Sequence, residues 1–268
     1  MTPSIDIMTL KSVLITGCSA GGIGSALVEA FQKRNLHVFA TTRDLSKMTY
    51  LDELPNVTLL PLDLTSVFSV QTAFETVRAH IEGTFDYLMN NTGQMIVTSI
   101  LDFDIEIVKK SAKGTLISIS SISPNVNTPW MGLYAGFKAA MIAIMEALRL
   151  ELTPLGVTVV TVNIGAVRIN TLVSGADFSL LVASRYKSIE KEIAGRARGE
   201  DETPRMNASM YAEKVFNDIM GGASGQIWRG GYSSIVRFAL SKLPVFASDW
   251  IFIQKTGLDV MKARYKLE

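Results

Sequence analysis

Short β-branched runs alternate with segments of helical periodicity from Ser12 to Asn163, and few architectures accept that pattern. Ser12–Thr16, His37–Thr41, Val57–Leu62, Tyr87–Met89, Thr115–Ile119 and Val157–Asn163 read as strands, with Gln226–Trp228 as a seventh. Gly24–Arg34, Ser69–Ile81 and Leu133–Leu152 lie between them with apolar residues at helical spacing. Strands that are nearly continuous apolar runs are buried on both faces. The order therefore predicts an α/β fold, a doubly wound parallel sheet with helices on both faces and right-handed crossovers. Beyond Gly165 the pattern loosens into a charged helical piece near Ser188–Arg198, a helix over Asn207–Met220 and an apolar, aromatic C-terminal stretch.

Composition narrows the function classes. The 268 residues fit one domain, read as a cofactor-binding and catalytic core over 11–170 and a substrate lid with an apolar extension over 171–268. Hydrophobic residues at 48% against 19% charged argue for a sizeable core. A net charge of +1 offers no field to recruit nucleic acid. The single cysteine, Cys18, excludes a disulfide-built scaffold. Met1–Leu10 carries Asp6 and lacks the basic start of a secretory signal, which implies an intracellular protein. The most apolar stretch, Ile235–Ile253, is interrupted by Arg237, Lys242, Pro244 and Asp249 and is too broken to span a bilayer. It has two readings: helices packed over the substrate pocket, or a peripheral contact with a lipid surface through Phe238, Phe246, Trp250 and Phe252. The protein is accordingly expected in the cytoplasm or on the surface of an endomembrane or lipid droplet.

The segment Thr16-Gly17-Cys18-Ser19-Ala20-Gly21-Gly22-Ile23-Gly24 leaves the first strand and opens the first helix. That context suits a dinucleotide: glycines let the backbone approach a pyrophosphate, and the helix N-terminus offers N–H groups and a positive dipole end. Gly17, Ser19, Gly22, Ile23 and Gly24 are the expected phosphate cradle. An acid at the end of the second strand would select NAD. Thr42 and Arg43 stand there instead, and a guanidinium pairs with a 2′-phosphate, so the expected cofactor is NADP. Asp44, one place on, keeps NAD open.

Tyr134 and Lys138 are four residues apart on the long helix and share a face. An ammonium beside a phenol favours the phenolate, and a tuned tyrosine serves as acid or base. Together with Asp63-Leu64, Asn90-Asn91-Thr92-Gly93 and Ser120-Ser121, in that order along the chain, the set resembles the short-chain dehydrogenase/reductase family. The resemblance implies a Rossmann-like fold and reduction of a ketone to an alcohol with NADPH, or the reverse, on a small carbonyl or alcohol substrate. It implies that Ser121 orients the carbonyl and Tyr134 delivers the proton. Lys138 binds the nicotinamide ribose and tunes Tyr134. Asp63 holds the adenine, Asn90 lines the adenosine pocket and Val167 offers backbone groups to the nicotinamide. The glycine-rich turn, KSIEKEIAGRAR, Ile227–Gly230 and the apolar C-terminus further resemble a fungal branch similar to 1-acyldihydroxyacetone-phosphate reductases, and suggest lipid-like or secondary-metabolite substrates.

Three departures matter. Gln94–Gly114, 21 residues, joins the fourth and fifth strands where the family carries on the order of 20 more, a helix of about 30 Å. No asparagine occurs in it, so the family's proton-relay asparagine is missing, and the helix that builds the family's oligomer interface goes with it. The oligomeric state is thus open, and the long helix is expected to lose its cover. Ile169 replaces a hydroxyl residue, with Thr171 as a partial substitute. The tyrosine motif carries Gly136 and Phe137, a minor change. These departures also support an alternative, a catalytically impaired NADP-binding protein. No metal is implied: His37 and His80 have no ligand partners at suitable spacing and read as surface or boundary residues. Cys18 reads as a small turn filler, Met141 and Met145 as core.

Overall fold

The computed structural model describes residues 10–81, 86–92, 114–126, 128–169, 179–197, 200, 204–238, 242–253, 256–258 and 260–261. Strands β1 (Ser12–Thr16), β2 (His37–Thr42), β3 (Val57–Pro61), β4 (Tyr87–Asn90), β5 (Thr115–Ile119), β6 (Thr158–Ile164) and β9 (Gly225–Arg229) form one sheet in the order β3-β2-β1-β4-β5-β6-β9. Every pairing in it is parallel. The order reverses between β1 and β4, the switch point at which a Rossmann-like sheet opens a crevice at its carboxyl edge. A second ladder of two residues each pairs β7 (Val167–Arg168) with β8 (Met206–Asn207). Sequence periodicity could not reveal it, because neither partner is a run.

Strand parity sorts the core into two layers. On one face, α1 (Ile23–Gln32) and α5 (Ala208–Met220) pack on Val13, Ile15, Val38, Met89, Ile117, Val160 and Val162. Phe31 of α1 meets Phe216 of α5 edge-on at 4.9 Å, with the Arg34 guanidinium 4.3 Å from the Phe216 ring and paired to Glu213. On the other, α2 (Val67–His80) and α3 (Gly132–Leu152) pack on Leu14, Phe39, Leu60, Leu88, Leu116 and Val159. Ser66 caps α2 by accepting the Ser69 N–H, and Asn207 caps α5 through Ser209 and Met210. The α3 helix ends at Thr153-Pro154, with Gly156 in the left-handed region at φ +76°.

The crossover from β4 to β5, Gly93–Lys113, lies outside the described residues. Helix α3 exposes Leu133 (78%), Phe137, Ile144 and Leu150. The charged piece after Gly165 forms α4 (Glu190–Ala197); Arg198, Asp201, Glu202 and Thr171 lie outside the described residues. In the C-terminal stretch, α6 (Ser233–Phe238) precedes α7 (Val245–Ile253). Phe246 (77% exposed), Trp250 (69%) and Ile253 follow one another at i, i+4 and i+7, so the apolar stripe of α7 faces outward. The Phe252 side chain lies outside the described residues.

His37 corrects the expectation of a surface or boundary residue. It is buried, its Nε2 lies 3.0 Å from Thr58 Oγ1, and its ring packs 4.6 Å from Phe39. At the end of α2, His80 meets Phe39 edge-on at 5.9 Å. Burial, and then the charge of His80, lower the His37 pKa below the ordinary 6.5. The unfolded chain therefore takes up a proton at His37 before the folded chain does. Stability is held above pH 6.5 and lost as pH falls from there toward the folded pKa. Urea titrations should show a falling midpoint between pH 7.5 and pH 6, and His37→Gln, which does not titrate, should flatten that slope.

Candidate active site

The crevice is built at the switch point. Gly17 and Gly21 have φ of +75° and +70°, the left-handed region in which glycine is unstrained. A Cβ on Gly24 would lie 2.2 Å from Gly17 O and 2.7 Å from Asn91 Nδ2, so only glycine fits. Helix α1 begins at Ile23 behind an extended Gly22 with no side-chain cap and no acid in its first turn. Its leading amides thus meet the crevice without a competing carboxylate, which fits a pyrophosphate. Ser19 Oγ lies 3.2 Å from Thr42 Oγ1, tying the turn to the end of β2.

Asn91, which sequence reading passed over in favour of its neighbour, is the clamp of this turn. Its Nδ2 donates to Thr16 O (2.9 Å) and Gly17 O (3.1 Å), while Thr16 Oγ1 accepts the N–H groups of Asn91 and Thr92. Asn90, the last residue of β4, keeps a buried Oδ1 without a hydrogen-bond partner among the described residues. Cys18 is buried, its thiol donates to Ile15 O, and burial pushes its pKa up to about 12, so it fills the turn and is unreactive.

The second-strand acid and base separate cleanly. Asp44 Oδ1 accepts from Ser46 N–H (3.1 Å) and Ser46 Oγ (2.7 Å), which holds the carboxylate in its own turn and lowers its pKa. Asp63 follows β3 and accepts from Thr65 N–H and Oγ1, the main cause of its lowered pKa, with Arg43 adding a smaller electrostatic pull.

Helix α3 carries the remaining groups on one stripe. Tyr134, Lys138, Met141, Met145, Leu148 and Leu152 recur every three or four residues, and the last four pack into the core. Tyr134 and Lys138 are the same stripe where it reaches the carboxyl edge of the sheet. Lys138 Nζ lies 5.9 Å from the Tyr134 ring centre and donates to Ile119 O at 2.9 Å. Burial pushes its pKa down to about 8, so it is still mostly charged at neutral pH. Burial raises the Tyr134 pKa, opposed by a hydrogen bond from the Ser121 hydroxyl. Ser121 is itself fixed, its Oγ accepting the Ser123 N–H at 3.1 Å. The three expected catalytic groups therefore converge.

The sequence model of the short chain dehydrogenase family matches residues 11–113 and 105–176. The chain belongs to that family. Its oxidoreductases bind nicotinamide cofactors, and the two matched stretches meet inside the Gln94–Gly114 connection, where the crossover is short. A short-chain dehydrogenase, ptmH, of Penicillium ochrochloron is 38% identical, covering 94% of this chain and all of that protein. An NADPH-dependent 1-acyldihydroxyacetone phosphate reductase of Schizosaccharomyces pombe is 30% identical, covering 88% and 90%. A short-chain dehydrogenase from Streptomyces avermitilis has the same fold, with a TM-score of 0.71 at 19% identity over 92% of this chain and 98% of its own.

Around the family core, Val167 is buried in the β7–β8 ladder after β6, and Ile169 packs on the core. Trp130, unread in the sequence, sits two residues before α3 at φ +70°. Its Nε1 donates to Thr256 O at 3.2 Å and its ring meets Tyr186 at 4.9 Å, joining two segments distant in the chain. Among the described residues no cluster of His, Cys, Asp or Glu could hold a metal. Asn91→Ala removes two amide hydrogen bonds and should cost about 2 kcal/mol. A lower urea midpoint and weaker dinucleotide binding, read by fluorescence titration, check this.

Proposed function

We propose that this oxidoreductase reduces a lipophilic ketone with NADPH, or runs the reverse reaction. The convergence of Ser121, Tyr134 and Lys138 on one edge of the sheet carries the reading, and it favours turnover over an impaired nucleotide-binding protein. When bound, the nicotinamide supplies or accepts the hydride. Ser121 orients the carbonyl oxygen, and Tyr134 donates the proton that completes the alcohol. The Lys138 ammonium, held by Ile119 O, stabilises the phenolate left behind. Gly17, Ser19, Gly22, Ile23 and Gly24 hold the phosphates, Asp63 and Asn90 the adenosine, Lys138 the ribose, and Val167 the nicotinamide end.

NADP over NAD is supported by Thr42 and Arg43 at the end of β2 and by the engagement of Asp44 within its own turn. The NADPH dependence in the name of the Schizosaccharomyces pombe relative agrees with it, and the acylated ketone phosphate in that name suggests a lipid-like carbonyl. Peripheral contact with lipid is part of the reading, supported by the outward apolar face of α7. Among the described residues no helix is long and apolar enough to cross a membrane.

Tyr134→Phe should lower NADPH oxidation about 10²–10⁴-fold across a panel of acyl ketones, with NADPH affinity little changed. Full turnover by that variant would refute the role. Arg43→Ala should raise the KM for NADPH about 10–100-fold and leave NADH kinetics unmoved, as expected for loss of one charged hydrogen-bond donor. Flotation with anionic vesicles should weaken on replacing Phe246 and Trp250 together by serine; unchanged flotation would remove the lipid contact from the reading.

A further inference from the structure

A row of polar side chains crosses the sheet beneath α3. Asn90, Ser118, Thr161 and Gln226 are successive lateral partners on β4, β5, β6 and β9. Lateral partners in a parallel sheet point to the same face. Two residues earlier on the first three strands, Leu88, Leu116 and Val159 belong to the core under α2 and α3, so the row lies on the α3 face. Ser120 and Asn163, two residues further along β5 and β6, share that face. Parallel strands buried on both sides are normally apolar throughout. Here Ser118, Ser120, Thr161 and Asn163 are buried, Asn90 is half-buried with its Oδ1 inside, and Gln226 is exposed on the edge strand.

Hydrogen bonding in the row is incomplete. Asn90 Oδ1, Ser120 Oγ, Thr161 Oγ1 and Asn163 Oδ1 are buried without a partner among the described residues. Ser118 Oγ reaches only the Met141 thioether, a weak acceptor, at 3.4 Å. Asn163 Nδ2 donates to Gln226 Oε1 at 2.9 Å, linking the row to its solvent end. At the other end Lys138 donates to Ile119 O, the residue between Ser118 and Ser120, and Met141 is one helical turn beyond Lys138. Buried polar atoms lacking protein partners are completed by ordered water, and adjacent strands about 4.8 Å apart leave hydroxyls at a spacing that one water bridges.

We propose that this row, hydrated along its length, is the path by which Lys138 exchanges protons with solvent. The proposal rests on the reductase reading. Each carbonyl reduced carries one proton from the Tyr134–Lys138 pair away on the alcohol. One proton must then enter at Gln226, pass along Asn163, Thr161, Ser118 and Ser120 with their waters, and restore the pair. Asn90 anchors water at the inner end. The reverse reaction releases its proton by the same route. Ser118, Ser120, Thr161, Asn163 and Gln226 are positioning residues, since none of them touches substrate or cofactor.

Thr161→Val exchanges the hydroxyl for a methyl at nearly constant shape and tests the path. With NADPH and a reduced ketone, kcat should fall about tenfold, a part of what a general acid contributes. The solvent deuterium isotope effect on kcat should rise, because proton supply becomes rate-limiting. The hydride isotope effect from deuterated NADPH should shrink, and NADPH affinity should hold. Thr158→Val, on the opposite face of β6, should change none of these. An atomic-resolution crystal structure of the cofactor-free protein should show ordered water between Ser120, Asn90 and Thr161. An unchanged solvent isotope effect in Thr161→Val, or a dry row, overturns the proposal. A native protein that reduces no carbonyl would instead overturn the reductase reading and the path's catalytic use with it; the water positions would still decide whether the row is hydrated.

Discussion

The stripe of α3 that packs on the sheet is the constraint on which the rest depends. Met145, Leu148 and Leu152 are buried against Leu116 and Val159, and Tyr134 and Lys138 continue the same line to the carboxyl edge. The positions of the phenol and the ammonium are therefore set by core packing several turns away. A helix rotated by one residue, about 100°, would withdraw both groups and expose the methionines together. Interiors packed to crystal density resist such rotation. The positions of these two groups thus inherit their precision from apolar contacts several turns away.

The cofactor side rests on a different device. Gly24 and Gly17 let two backbones approach where a Cβ has no room, and Asn91 closes the gap by bonding both Thr16 O and Gly17 O. Thr16 Oγ1 answers with two bonds from the β4 end. The turn is consequently one piece with the sheet, and the uncapped α1 N-terminus points where the strand order reverses. A turn prepared in this way binds an anion without first ordering itself.

Much of this was legible in the chain itself. Thr115–Ile119 is bounded as a strand by its β-branched run, and Leu133–Leu152 by its periodicity; the structure moves the helix start by one residue. Such elements are local, and their pattern repeats over many residues. What escaped depended on distant partners. His37 begins a strand as a surface residue would, and its partners Thr58, on the neighbouring strand, and Phe39, on its own, are what take it inside. The β7–β8 ladder joins Val167 to Met206 with two residues on each side. Asn90 and Asn91 are adjacent and chemically identical, and strand parity with backbone direction decides which one clamps the turn. The chain alone leaves Asp44 and Arg43 side by side after β2, and only the fold shows that a short turn engages the carboxylate with Ser46. Trp130 gave no periodic signal, since its partners Tyr186 and Thr256 lie far along the chain.

The shortened crossover and the polar row bear on one another. A half-buried lysine in the role proposed for Lys138 needs both a charge-stabilising contact and a proton source. The family resemblance assigns the source to a residue of the connection between β4 and β5, and Gln94–Gly114 contains no asparagine. The sheet beneath is present in full. Four buried polar atoms left without partners would cost about 1–3 kcal/mol each, a large share of the 5–15 kcal/mol by which domains are stable. Apolar residues at positions 120 and 161 would remove two of those four atoms and would suit strands buried on both faces. A sequence that keeps serine and threonine there, within a row leading from Lys138 to an exposed edge, is consistent with hydroxyls retained for what they carry and not for what they stabilise.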